Sequence, residues 1–238
     1  DAWTPQRDLA LTAPFGVHDL ENRRLNRKAL ERTLGWPESE VPILCTVSRI
    51  TKAKGFGFLL RQANELLGRG CRLLFIGDGE RRLVNRLHNL AQTHPHHVAL
   101  ITPYSETVAR RVLAGADALL MPSLTEPCGL SQQQAQCYGC VPIVARVGGL
   151  TDTVSDGRTG FLFRPSDRTS FLAAVDRALE AYRASGWRSI QQSCMNAHDD
   201  HGDENAYPDL FEQLIRRSRR KQTCDGPIGG YRAAVLEL

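Results

Sequence analysis

The sequence predicts an α/β fold, a doubly wound parallel sheet with flanking helices, and three observations predict it. Short apolar runs alternate with helical stretches about six times between residues 41 and 185. The runs lack polar interleaving, the pattern of strands buried on both faces. The residues of unusual chemistry stand just after the runs, where open α/β sheets bind ligands.

Taken in order, "VPILCTVSR" (41–49) is a strand, and "KGFGFLLRQANELLGRG" after it is apolar at helical spacing. "CRLLFIGDG" leads into the helical "ERRLVNRLHNLAQTH", and "HVALITPY" into "SETVARRVLAGA", with Ser105 at the N-cap position. "DALLMPS" precedes "GLSQQQAQCYG", "CVPIVARVGG" precedes "LTDTVSDG", and "TGFLFRP" precedes "SDRTSFLAAVDRALEAYRAS", again with Ser or Asp to cap it. Residues 1–40 fall outside the alternation, and their charged helical stretch "HDLENRRLNRKALERTLGW" is expected to be a lead-in. Residues 186–222 are expected to be C-terminal helices and 223–238 a loose tail with three glycines and a proline.

With 238 residues, 42% of them hydrophobic, the chain can build a packed core. No apolar run approaches the ~20 residues of a membrane span, and the first residues lack the pattern of a signal peptide. A cytoplasmic location is therefore expected, or a plastid if the source is a plant. The formal net charge of +4 comes partly from "RRSRRK" (216–221). That run suits a solvated helix end, where cations complement the dipole. With no recognition motif beside it, it gives no argument for nucleic acid. Seven scattered cysteines fit reduced thiols rather than a disulfide frame. "CYGC" (137–140) lacks a second pair at metal spacing and is expected to be a helix ending at Gly139. The acidic "HDDHGDEN" lacks the spacing of a calcium loop, and "THPHH" (93–97) fits an exposed turn. No metal and no cofactor are expected.

Chemistry concentrates at four strand ends. Arg49 and Lys54 flank the first loop with Gly55 behind them, which suits an anionic ligand, although loop cations are also common. In "PSLTEPCGLSQQQ" (122–134) Pro127 fixes φ for the helix entry and Gly129 lets backbone approach a ligand. The amides of Gly129, Leu130 and Ser131 then form an opening for phosphate, with the Ser131 hydroxyl as a further donor. A carboxylate at Glu126 would repel that phosphate. Glu126 either caps the helix or faces a neutral polyol beside the phosphate, the combination a nucleotide sugar requires. Gly148 and Gly149 repeat this arrangement one unit later, opening a further helix, and are further candidates for donor binding. Tyr104 stacks on a base or merely packs at its boundary, and "IGDGE" is a lone G-x-G.

"VSRITKAKG" and "MPSLTEPCGLSQQQAQCYGCVPIVARVGGLTDTV" resemble the signature segments of the ADP-glucose-type glycogen and starch synthases, retaining glycosyltransferases of the GT-B fold. "DAWTP" resembles that family's interdomain segment. The resemblance implies a Rossmann-like nucleotide-sugar-binding domain over 41–185, the C-terminal half of a GT-B fold, preceded by an interdomain lead-in over 1–40. It implies that Arg49 and Lys54 bind the donor phosphates and that Glu126 meets the glucosyl hydroxyls. The amides from Cys128 to Ser131 would hold the distal phosphate, and Tyr104 would lie along the adenine. The implied reaction moves glucose from ADP-glucose to the non-reducing end of an α-1,4-glucan, without metal. The implied partners are ADP-glucose or ADP, the glucan acceptor and an N-terminal GT-B domain, whose "KxGG" segment does not occur in this sequence. "HDDHGDEN" stands where the family has an aromatic segment, and Ala145 replaces the first basic residue of "RRTGGL". The chain is therefore expected to be inactive alone. A non-catalytic nucleotide-sugar or glucan-binding module remains an alternative. So does a UDP-glucose-using GT-B enzyme, though Gln134, eight residues after Glu126, argues against the "E-x7-E" relatives.

Overall fold

The computed structural model describes residues 3–184 and 186–199. The run "RRSRRK", the C-terminal tail, Cys224 and most of the acidic stretch lie outside the described residues.

The six strand expectations become one parallel sheet. Its strands are β1 (Ile43–Val47), β2 (Arg72–Ile76), β3 (Val98–Ile101), β4 (Ala118–Met121), β5 (Val141–Ala145) and β6 (Phe161–Phe163), in the spatial order β3-β2-β1-β4-β5-β6. The order reverses between β1 and β4, and open α/β sheets bind ligands at the carboxyl ends of the strands beside such a switch point. Helices α2 (Phe56–Gly68), α3 (Arg81–Thr93), α4 (Glu106–Gly115), α5 (Ser131–Cys137) and α6 (Gly149–Thr153) form the crossovers, and α7 (Arg168–Arg183) follows β6. Two apolar clusters cover the sheet. One joins Phe58, Leu73, Phe75, Phe163 and Phe171. The other joins Phe15, Leu74, Leu113, Leu119 and Tyr138. Every residue of β1, β2, β4, β5 and β6 is buried, which is why apolar runs without alternation marked them.

The lead-in is built into this body. Helix α1 (Arg23–Thr33) lies against α4, and three of its charged residues, Arg23, Arg27 and Glu31, turn inward, while Arg24 and Arg32 face water. Buried Arg23 donates to the carbonyls of Gly139 and Leu113 at 3.0 Å and of Ala116 at 2.6 Å, tying off chain ends of α4 and α5. Arg27 bonds Asp117 at 2.5 Å, and Glu31 bonds Arg72, the first residue of β2, at 2.9 Å. Buried charges are tolerated only when paired in this way.

Helix ends follow their caps unevenly. Ser105 is the N-cap of α4 but makes no capping bond, whereas Asp167 accepts the Ser170 amide at 2.8 Å and caps α7. Asp167→Ala should therefore cost about 1 kcal/mol, read as a lower urea midpoint with unchanged slope; an unshifted midpoint would show that α7 needs no cap. Helix α5 ends at Cys137, and Gly139 turns the chain at φ 60°. Cys45 and Cys140 are free thiols in hydrogen-bond contact, their sulfurs 4.0 Å apart, and burial pushes the Cys71 thiol up to about 12. Helix α8 (Trp187–Asp199) packs on α5, with Gln191 donating to the Gly139 carbonyl at 2.9 Å. No helix among the described residues is long and apolar enough to cross a membrane, and no group of three metal-ligating side chains occurs among them.

Candidate functional site

Four loops meet at the carboxyl edge of the sheet, and their backbones touch closely enough to demand glycine. A Cβ at Gly55 (φ 77°) would lie 1.9 Å from the Pro122 carbonyl oxygen, so the loop after β1 rests directly on the loop after β4. The amide of Leu124 donates to Ala53 across the same seam at 2.8 Å. At Gly77 a Cβ would lie 1.9 Å from the Ser48 carbonyl oxygen, which joins the loops after β1 and β2.

A cleft of about 560 Å³ opens between these loops, lined by Arg49, Asp78, Tyr104, Ser131 and Gln134 together with Val47, Ser48, Gly77 and Gly79. Three residues singled out from sequence, Arg49, Tyr104 and Ser131, come together here from the ends of β1, β3 and β4. Arg49 is exposed and makes no ion pair among the described residues. Tyr104 is 45% exposed, and partial burial beside Glu106 raises its hydroxyl above the usual range.

Lys54 and Glu126 do not line this cleft. They face each other beside it, the Lys54 ammonium on Glu126 Oε2, with Ser123 Oγ donating to the same oxygen at 3.3 Å. Glu126 is buried, 8% exposed, and takes no amide of α5, so the carboxylate binds a cation instead of capping the helix. Its loop presents unused donors: the amides of Cys128, Gly129, Leu130 and Ser131 donate to nothing among the described residues. Gly129 makes the turn at φ 70°. Gly148 and Gly149 act differently. The Gly149 amide is already taken, by the Glu126 carbonyl at 3.1 Å and that of Pro127 at 3.3 Å. Cβ atoms there would lie 2.1 Å from the Glu126 oxygen and 2.3 Å from the Cys128 oxygen. The two glycines back the Glu126 loop.

Asp78 is the functional candidate that sequence reasoning left unused. Its Oδ1 accepts the Thr102 hydroxyl at 2.6 Å and its Oδ2 the Tyr104 amide at 2.8 Å, and these bonds hold its carboxyl below the ordinary range. Glu80 likewise accepts the Lys52 amide at 2.8 Å. The acids of "IGDGE" thus fix the loops carrying Tyr104 and Arg49. The signal was present in that G-x-G, but nothing local shows that its acid reaches 26 residues ahead.

A buried parallel sheet whose order reverses beside an open cleft at its carboxyl edge defines the Rossmann-like class of α/β folds, here of the GT-B glycosyltransferase type. The profile of the family described as "Glycosyl transferases group 1" matches residues 41–181, and the chain belongs to that family. It is 43% identical over 220 residues to the glycogen synthase of Pseudomonas aeruginosa, covering 92% of this chain and 43% of that protein. To the glycogen synthase of Syntrophotalea carbinolica it is 40% identical over 196 residues, covering 79% of this chain and 40% of the relative. The catalytic domain of starch synthase IV from Arabidopsis thaliana, solved bound to ADP and acarbose, superposes with a TM-score of 0.83 at 27% identity, over 92% of this chain and 47% of that one. A sucrose-phosphate synthase from Thermosynechococcus elongatus, at 21% identity and a TM-score of 0.64, shares the fold. The chain spans less than half the length of the curated relatives it matches.

Proposed function

We propose that this chain carries the donor-binding half of an α-glucan synthase, which transfers glucose from ADP-glucose to the non-reducing end of an α-1,4-glucan with retention. The observation that carries the reading is the convergence of Arg49, Tyr104 and Ser131 on one cleft beside the Lys54–Glu126 pair. Arg49 and Lys54 supply positive charge for a departing diphosphate, and the free amides from Cys128 to Ser131 supply oriented dipoles, so no metal is needed. Tyr104 offers a ring face to the base. Glu126 offers acceptor oxygens to glucosyl hydroxyls, and Lys54 keeps its charge from opposing the phosphates. The ADP-bound starch synthase and the glycogen synthase relatives favour adenine and glucan over other choices. The acceptor and the opposite wall of the cleft belong to an N-terminal GT-B domain, so the chain alone binds donor without turning it over, in the cytoplasm.

Calorimetric titration with ADP, ADP-glucose and UDP-glucose tests this reading. Binding should prefer the two adenine ligands; equal or better binding of UDP-glucose would sink the donor assignment. Glu126→Gln should hold ADP affinity within about twofold while erasing the preference for ADP-glucose over ADP, because it removes charge at the sugar and not at the diphosphate. A loss shared equally by both ligands would reduce Glu126 to the ion partner of Lys54.

A further inference from the structure

Two buried glutamines, Gln132 and Gln136, lie one turn apart on α5 and both reach Thr153 at the end of α6. Gln132 is fully buried. Its Nε2 lies 2.6 Å from the Gly129 carbonyl oxygen, 3.0 Å from Thr153 Oγ1 and 3.3 Å from the Cys128 carbonyl oxygen. Thr153 in turn donates its hydroxyl to the Gly149 carbonyl at 2.7 Å, which leaves its oxygen free to accept from Gln132. Gly149 donates its amide to the Glu126 carbonyl. The bonds close a circuit: Glu126 to Gly149, Gly149 to Thr153, Thr153 to Gln132, and Gln132 back to the turn at Gly129.

That circuit holds the Glu126–Leu130 segment from both ends. With their carbonyls drawn inward to Gln132, Cys128 and Gly129 keep this backbone turned in one sense, and the segment's amides remain unused. The carboxamide is an unfavourable choice for packing alone. Gln132 Oε1 is buried without a partner among the described residues, and an apolar side chain of like shape would avoid that desolvation. We infer that Gln132 is a positioning residue, which through Gly129 and Thr153 sets the place of Glu126 and its neighbouring amides toward the donor. The inference rests on the proposed donor site for its ligand effect, and on the hydrogen-bond circuit alone for its structural effect.

The test compares the full chain with its Gln132→Met and Thr153→Val variants, both close in shape and without the relay. Amide hydrogen exchange reads the circuit directly. Gln132→Met should speed exchange at Gly149 at least tenfold while the amides of α7 keep their rates; a Gly149 amide exchanging as in the parent chain would overturn the brace, whether or not any ligand binds. Calorimetry with ADP and ADP-glucose reads the positioning. Gln132→Met should lower the ratio of ADP-glucose to ADP affinity about tenfold, and Thr153→Val should do so less, with the double variant no worse than Gln132→Met. An unchanged ratio would leave Gln132 a packing residue and overturn its positioning role. A parent chain that binds neither ligand would instead sink the donor reading, and the exchange result would still decide the brace. If Gln132→Met fails to fold, Thr153→Val carries both readouts with the same signs.

Discussion

Lys54→Ala should weaken ADP binding by one to two orders of magnitude and also destabilise the fold, and the two effects can be separated. A charge-assisted hydrogen bond contributes roughly 1.5–3 kcal/mol, and each 1.4 kcal/mol is about tenfold in affinity. Stability falls for a different reason. Truncation leaves Glu126, only 8% exposed, with Ser123 alone for company. Orphaning one member of a fully buried pair costs about 3–5 kcal/mol. The Lys54 side chain is 22% exposed and water reaches it, so about 2 kcal/mol is the better expectation here. The double variant Lys54→Ala/Glu126→Gln removes the orphaned charge. It should recover most of the lost urea midpoint and none of the ADP affinity. Unchanged ADP affinity in either variant would refute a phosphate role for Lys54.

The pairing behind that prediction shows where sequence reading stops. Arg49, Lys54, Glu126 and the Gly129 turn each announced themselves by residue type after a buried run, since a parallel sheet places such loops at one edge whatever their sequence. That Lys54 would neutralise Glu126, 72 residues away, was not legible, because it depends on how two loops lean together. Gly55 shows the cause: its missing side chain admits the Pro122 carbonyl, and nothing beside Gly55 in the sequence names that partner. The strands were legible for the opposite reason, since burial on both faces is written directly in composition. The buried pairs of the charged first helix were illegible for a related reason. Arg23, Arg27 and Glu31 look solvated in a sequence and are instead plugged into carbonyls and counter-charges of distant strands and helices. Charge marks a surface only when no buried partner answers it.

Gly148→Ala should be among the most damaging single-methyl changes in the described chain, because strain and collision coincide there. The residue sits at φ 45° and ψ −139°, a region open to glycine almost alone. Forcing alanine into such a conformation costs about 1–3 kcal/mol. The new Cβ would also stand 2.1 Å from the Glu126 carbonyl oxygen. That oxygen must retreat by more than an ångström, roughly, for ordinary contact, and its bond from the Gly149 amide goes with it. Overpacking of this kind adds about 1–3 kcal/mol, so about 4 kcal/mol in all is expected. Gly157→Ala separates the two contributions: Gly157 has φ 77°, and a Cβ there meets nothing within 4 Å. It should show strain alone, with a urea midpoint well above that of Gly148→Ala and donor binding intact. Gly148→Ala should lose ADP-glucose binding more severely than ADP binding, since the displaced segment begins at Glu126. Equal midpoints for the two alanine variants would mean that the Glu126 loop yields without cost. The segment would then be a pliable lip of the cleft rather than a fixed wall.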